Sequence, residues 1–135
     1  MIVVDTNIIT VLLMPNDRYN GLADDLYQKD CNWISPFLWR YELLSVLSIY
    51  FRQNIIDEVR CQFIYREALD MVTSRPIGNY KTVFELIKKS SLSSYGCEFV
   101  ALAKETGLPL ITEDKKILRE FPEIACKMQT YAVAQ

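Results

Sequence analysis

Asp5, Glu42 and Asp114 are the residues through which this chain could do chemistry. Asp5 ends the apolar run Met1-Ile2-Val3-Val4, and Asp114 follows Leu110-Ile111-Thr112 with Glu113 between. Glu42 lies inside an apolar stretch, with Leu38, Val46 and Ile49 within about 40° of it on a helical wheel. A carboxylate facing a core is costly unless it is ion-paired, hydrogen-bonded or on a metal. The chain has no histidine. Ser-His-Asp triads, Cys-His pairs and His-ligated zinc are therefore excluded. What remains is carboxylate chemistry: acid/base work, or the binding of a hard divalent cation. Each acid also has a purely structural reading. Asp5 could cap a helix, Glu42 could pair with Arg40 or a lysine, and Glu113 could be a solvated loop residue.

The elements that must position these acids alternate between strand and helix. Residues 1–4 read as a buried strand, and Thr6 to Leu13 as a short helix stopped by Pro15 and Asn16. Asp17 to Lys29 is a second helix with Asp17 as N-cap. Residues 31–35 form a short strand. Ser35 then caps a helix whose first residue is Pro36, running to about Gln53, apolar on most faces and deeply packed. Asp57 to Leu69 is a fourth helix with Val59, Phe63 and Ala68 inward, followed by a short strand at Met71 to Thr73. Asn79 to Lys89 is helical. A helix from Tyr95 to Thr106, capped by Ser94, is stopped by Gly107. Leu108 to Thr112 is a buried strand, Glu113-Asp114 opens a short helix, and Met128 to Val133 is a final strand. This alternation predicts a parallel α/β sheet covered on both faces. In such sheets ligands bind beyond the carboxyl ends of the strands, where both Asp5 and Asp114 fall.

The 135 residues are half apolar with a net charge of −2, which suits one folded domain over 1–135 rather than a disordered chain. No apolar run is long enough for a membrane span. Asp5 interrupts the N-terminal apolar run, which argues against a signal peptide and for a cytoplasmic protein. Cys31, Cys61, Cys97 and Cys126 show no C-x-x-C pair and read as reduced core thiols. The acidic balance argues against broad electrostatic wrapping of nucleic acid, while permitting a local basic rim.

Four blocks, in order, carry a resemblance. They are Val4-Asp5-Thr6-Asn7-Ile8; Ser35-Pro36 through Glu42-Leu43-Leu44; Ser94-Tyr95-Gly96-Cys97-Glu98 through Ala103; and Leu110-Ile111-Thr112-Glu113-Asp114-Lys115-Lys116. Across essentially its whole length the chain resembles the PIN domains, the metal-dependent ribonuclease fold used by VapC-type toxins of toxin–antitoxin pairs. The resemblance implies a PIN-like three-layer α/β fold, with a central parallel sheet of four to five strands flanked by helices. It implies that Asp5, Glu42 and Asp114 hold Mg²⁺ or Mn²⁺ and are the catalytic acids. Asn7 and Thr112 match the small polar residues that support the pocket. In the third block the family has an acid directly after the aromatic residue, and here that place is Gly96. Glu98 lies about 200° further round the helix, grouped with Ala101 and Glu105, and so is expected away from the site.

The expected function is a metal-dependent endoribonuclease, the toxin of a toxin–antitoxin module. The alternative is a catalytically impaired PIN domain, weakened by Gly96, that binds RNA or an antitoxin. Expected partners are RNA, a small antitoxin and a second copy of the chain, with no membrane. Arg40, Lys115 and Lys116 are candidate contacts to RNA phosphates. Phe37 and Tyr41 cluster with Trp33 and Trp39 before Glu42, where base stacking competes with core packing. A nucleotide-binding or phosphatase-like α/β enzyme is disfavoured because no Gly-rich phosphate loop is present.

Overall fold

The computed structural model describes residues 1–14 and 19–134. The strands are β1 (Ile2–Val4), β2 (Trp33–Pro36), β3 (Val72–Arg75), β4 (Leu110–Ile111) and β5 (Ala125–Cys126). They form one sheet in the order β3-β2-β1-β4-β5, and every neighbouring pair is parallel. Eight helices accompany them among the described residues: α1 (Thr6–Leu13), α2 (Asn20–Lys29), α3 (Leu38–Arg52), α4 (Glu58–Met71), α5 (Tyr80–Lys89), α6 (Ser94–Thr106), α7 (Lys115–Glu120) and α8 (Met128–Val133).

The sheet grows outward from β1 in both directions. The chain first adds β2 and β3 on one side, then returns to add β4 and β5 on the other. The order therefore reverses between β1 and β4, the crevice where open parallel sheets bind ligands. β1 is central and covered on both faces, which is why Ile2, Val3 and Val4 are all apolar and all fully buried. α6 packs against β1, β2 and β4 through Phe99, Val100 and Ala103. Its last turn ends at Gly107, whose φ of 70° is the left-handed conformation that a side chain would resist.

Several expectations are corrected. The last strand is Ala125–Cys126, and Met128 to Val133 is helical. Two strand residues suffice there because β5 is an edge, and Met128 is instead buried as the first residue of α8. Pro36 belongs to β2, not to the first turn of α3, and Ser35 does not cap that helix. The buried Ser35 hydroxyl donates to the Val4 carbonyl at 2.5 Å, fastening β2 to β1 at their carboxyl ends. The cap of α6 is Ser93, one residue before the expected Ser94, and its Oγ accepts from the Gly96 N–H. Asp17, the expected cap of α2, lies outside the described residues, and α2 starts at Asn20.

The largest departure concerns α3 and α4. α3 is not deeply packed: Tyr41, Leu44, Ile49 and Phe51 are exposed. On α4 the inward residues are Ile64 and Ala68, while Val59 and Phe63 face outward. α3 lies against α1, β2 and α4, and its second apolar stripe, with Tyr41, Leu44, Ile49 and Phe51, stays exposed among the described residues. The cysteines are all free, and they range from the exposed Cys31 to the buried Cys97 rather than all being core thiols.

Candidate active site

The end of β1 builds the centre of the site. Asp5 leaves the strand in extended conformation and caps α1, with Oδ1 accepting from the Thr6 N–H at 2.8 Å. Its own N–H donates to the Ile111 carbonyl at 3.0 Å, so β4 sets its height. Its second oxygen accepts from Thr112 Oγ1 at 2.7 Å. Thr112 is fully buried at the end of β4, and its Oγ1 also accepts from the Asp114 N–H at 3.0 Å. One threonine thus orients the carboxylate on β1 and the backbone that presents Asp114.

Asp114 itself caps α7, with Oδ1 accepting from the Lys116 and Ile117 N–H groups at 2.9 and 3.0 Å. Glu42 sits in the second turn of α3. Its Oε1 accepts from Thr6 Oγ1 at 2.6 Å, which ties α3 to the residue beside Asp5. The pairing of Glu42 with Arg40 does not occur. Arg40 turns the other way, donating to Ser74 Oγ at 3.1 Å with its guanidinium 5.0 Å over the Phe37 ring.

These placements leave negative charge uncompensated. Among the described residues the one ion pair joins the N-terminal ammonium to Asp30, and it involves none of the three acids. Burial pushes the Asp5 carboxyl up from 3.8 to about 6. The hydrogen bonds from Thr112 and Thr6 oppose the rise, while the charges of Glu42 and Asp114 add to it. The side-chain oxygen of Asn7, two residues on, is buried with no hydrogen-bond partner among the described residues. A buried orphan acceptor two residues from the buried carboxyl of Asp5 is the environment that a hard cation would satisfy. No three acid or cysteine side chains among the described residues already stand as a closed ligand set. The named hydrogen bonds explain this, since each carboxylate is held by its own local donors.

Glu98 departs from expectation. It is half-buried, and its carboxyl is raised by burial and by the charge of Glu42. Asp114, Asp5, Glu42 and Glu98 are thus linked as a row by the influence of one charge on the next, with Glu98 within electrostatic reach of Glu42. The wheel placed Glu98 correctly relative to its own helix, on the side of Ala101. What the wheel could not show is that this side of α6 borders Pro36 at the end of β2 and the segment Pro76 to Asn79 that leads into α5. Gly96 is half-buried in the first turn of α6. A Cβ built on it would meet Leu92 and Ser93 at no less than 3.6 Å, an ordinary contact. The glycine is thus required neither by space nor by backbone conformation.

Glu113 is not a solvated loop residue. Its Oε2 accepts from the Met128 N–H at 2.9 Å, closing the start of α8. Lys115 and Lys116 are exposed at the start of α7, beside Asp114. Trp33 and Trp39 are core residues at 1% and 0% exposure, whereas Phe37 and Tyr41 are exposed. Between α3 and α4 runs an open apolar groove of ≈ 440 Å³, lined by Leu44, Leu47, Phe51, Cys61, Tyr65 and Leu69. No described helix is long and apolar enough to cross a membrane.

A parallel sheet with its strand order reversing at β1/β4, and an acid at the carboxyl end of each of those strands, defines an α/β protein with a carboxylate site. The chain belongs to the PIN domain family, whose profile matches residues 2–124. It is similar to Ribonuclease VapC3 of Pyrobaculum aerophilum, 25% identical over 133 aligned residues, covering 91% of this chain and 96% of that protein. Its fold is similar to that in the crystal structure of PAE2754 from Pyrobaculum aerophilum, with TM-score 0.77 and 19% identity over 97% of this chain and 92% of that one. A toxin–antitoxin complex from Klebsiella pneumoniae contains a chain of similar fold, with TM-score 0.72 and 17% identity over 95% of this chain and 98% of that one.

Proposed function

We propose that this chain is a Mg²⁺- or Mn²⁺-dependent endoribonuclease and the toxin of a toxin–antitoxin pair. The observation that carries the reading is Asp5. It is a buried carboxylate at the switch point of the sheet, fixed by two hydrogen bonds and within reach of the charges of Glu42 and Asp114, with no cationic partner among the described residues. Asp5, Glu42 and Asp114 would hold the metal, with Asn7 Oδ1 as a further acceptor nearby. When bound, the ion supplies Lewis acidity toward a phosphodiester oxygen and a more acidic water. Thr112 and Thr6 hold the carboxylates in place and so lower the reorganisation needed to receive a cation. α1, α3 and α7 start at the carboxyl edge of the sheet, so their positive ends face the acids and the phosphate that must approach them. Lys115, Lys116 and Arg40 would position the RNA backbone.

The relationship to Ribonuclease VapC3 supports the ribonuclease reading, and the similar chain in a toxin–antitoxin complex supports an antitoxin partner. The groove between α3 and α4 has the shape for an amphipathic helix, from an antitoxin or a second copy. A second reading, an impaired domain that binds without efficient cutting, is favoured by Gly96 alone. Because the space there admits a side chain, the missing acid is a chemical change and not a packing requirement.

The test is cleavage of a mixed RNA pool by the purified chain, with Mg²⁺ or Mn²⁺ against chelator and with Asp5→Asn in parallel. Metal-dependent cutting that disappears in Asp5→Asn supports the nuclease. Equal cutting by both proteins overturns the assignment of Asp5. No cutting by either favours the impaired domain.

A further inference from the structure

A nuclease of net charge −2, with a row of acids at its centre, repels the phosphates it must hold. General electrostatic attraction, the main source of non-specific nucleic-acid binding, is weak here. The grip has to come from a local feature, and the junction of β2 and α3 supplies one.

Phe37 and Tyr41 are 44% and 71% exposed. Phe37 is the helical-conformation cap of α3, so the two rings lie four residues apart on one face. Arg40 sits between them in sequence. Its guanidinium lies 5.0 Å from the Phe37 ring centre, and Ser74 Oγ fixes its Nε. Ser74 also accepts from Trp39 Nε1 at 2.9 Å, so the anchor belongs to the core. The Phe37 N–H donates to the carbonyl of the exposed Arg75 at 3.1 Å, so the backbone of a second arginine lies against the start of α3. All of this stands at the carboxyl edge of the sheet, with Tyr41 directly preceding Glu42.

Exposed rings interleaved with fixed guanidinium groups are the pattern that grips single-stranded nucleic acid: rings stack the bases and cations meet the phosphates. We infer that Phe37 and Tyr41 are a stacking platform for bases of single-stranded RNA beside the carboxylate site, with Arg40 and Arg75 meeting the adjoining phosphates. The inference rests on the nuclease reading and adds residues that position the substrate. A protein partner suits the apolar groove further along α3 better, because its lining is mostly apolar. The Phe37 end carries two arginines, and their charge matches phosphate.

The experiment measures binding, not cleavage, so it needs no metal. A labelled single-stranded oligoribonucleotide is titrated in chelator by fluorescence anisotropy, beside the same oligonucleotide carrying abasic sites. Proteins are the wild type, Phe37→Leu, Tyr41→Leu and Tyr41→Phe, each checked for an unchanged melting temperature. Wild type should prefer the base-containing strand. Each Leu variant should bind it about tenfold more weakly, the weight of one stacked base, and lose the preference. Tyr41→Phe should restore both. Leu variants that bind like wild type, or that keep the preference for bases, overturn the platform while leaving the nuclease reading intact. Wild type that binds neither strand, or both equally, overturns the platform, while the nuclease reading stands or falls on the metal-dependent cleavage.

Discussion

Thr112 Oγ1 donates to Asp5 Oδ2 at 2.7 Å, a bond between residues 107 positions apart. The same oxygen accepts from the Asp114 N–H. A single buried hydroxyl therefore links the acids at the two sides of the switch point. Thr112→Val keeps the shape and deletes both bonds. It should cost about 2 kcal/mol, because a buried carboxylate and a backbone N–H lose a partner. It should also raise the Asp5 carboxyl further, since that hydrogen bond now lowers it. Denaturant unfolding and the pH profile of cleavage check the two effects, and a variant as stable as wild type would show the bond to be dispensable.

Asp5→Asn should abolish metal-dependent cleavage and yet stabilise the metal-free protein at pH 8. The carboxyl of Asp5 is raised from 3.8 to about 6 in the folded state. Between those values the folded chain holds a proton that the unfolded chain has released, so stability falls as pH rises through this window. Below it both states are protonated and no cost remains. The full cost above pH 6 is about 3 kcal/mol at most. Melting curves of both proteins in chelator should separate at pH 8 and converge near pH 4. With metal present the order should reverse, because the cation binds the ionised form.

Gly96→Asp should fold normally, because a Cβ there meets only ordinary contacts. The added carboxylate should tighten Mn²⁺ binding about tenfold or more and raise cleavage in proportion. In chelator the same change should lower the melting temperature, since it adds charge to an uncompensated row. Calorimetric titration with Mn²⁺ decides the first point and thermal melting the second. Unchanged affinity would mean that the first turn of α6 does not face the cation.

Glu98→Gln removes the outermost acid of the row without changing shape. Burial, and after it the charge of Glu42, raises the Glu98 carboxyl, so the two charges lie within electrostatic reach. Mn²⁺ affinity should fall several-fold, and the loss should shrink at high salt because Glu98 is partly exposed. A loss that is insensitive to salt would instead indicate direct contact between Glu98 and the cation.

Much of the fold around the candidate site was legible in the sequence. A run such as Ile2-Val3-Val4 has one good use, a strand buried on both faces, and the acid that ends it must sit at the rim. Thr6 to Leu13 matches the observed helix residue for residue, with Asp5 as its cap, while Pro15 and Asn16, the expected stop, lie outside the described residues. Gly107 ends α6 because, lacking a Cβ, it takes the left-handed conformation freely. The absence of histidine excluded whole reaction classes. Short strands were harder: Ala125–Cys126 is two residues long and exists because Leu110 and Ile111 lie beside it. Nothing local distinguishes it from a loop, and so Met128 to Val133 was read as the strand in its place.

The sequence by itself singled out Asp5, Glu42 and Asp114 as candidate residues and placed Asp5 and Asp114 just beyond the ends of strands. Local rules suffice for that, since a cap, a buried run or a missing residue type is a property of a few neighbours. Only the tertiary structure decided which of these ends meet. The reversal of strand order puts Asp5 beside Asp114. The packing of α6 against β1 and β2 brings Glu98 within electrostatic reach of Glu42. Packing likewise buries Trp39 of α3 and leaves Phe37 and Tyr41 exposed. Helical periodicity sorts residues onto faces, but which face is buried depends on what packs against it, and that partner comes from elsewhere in the chain.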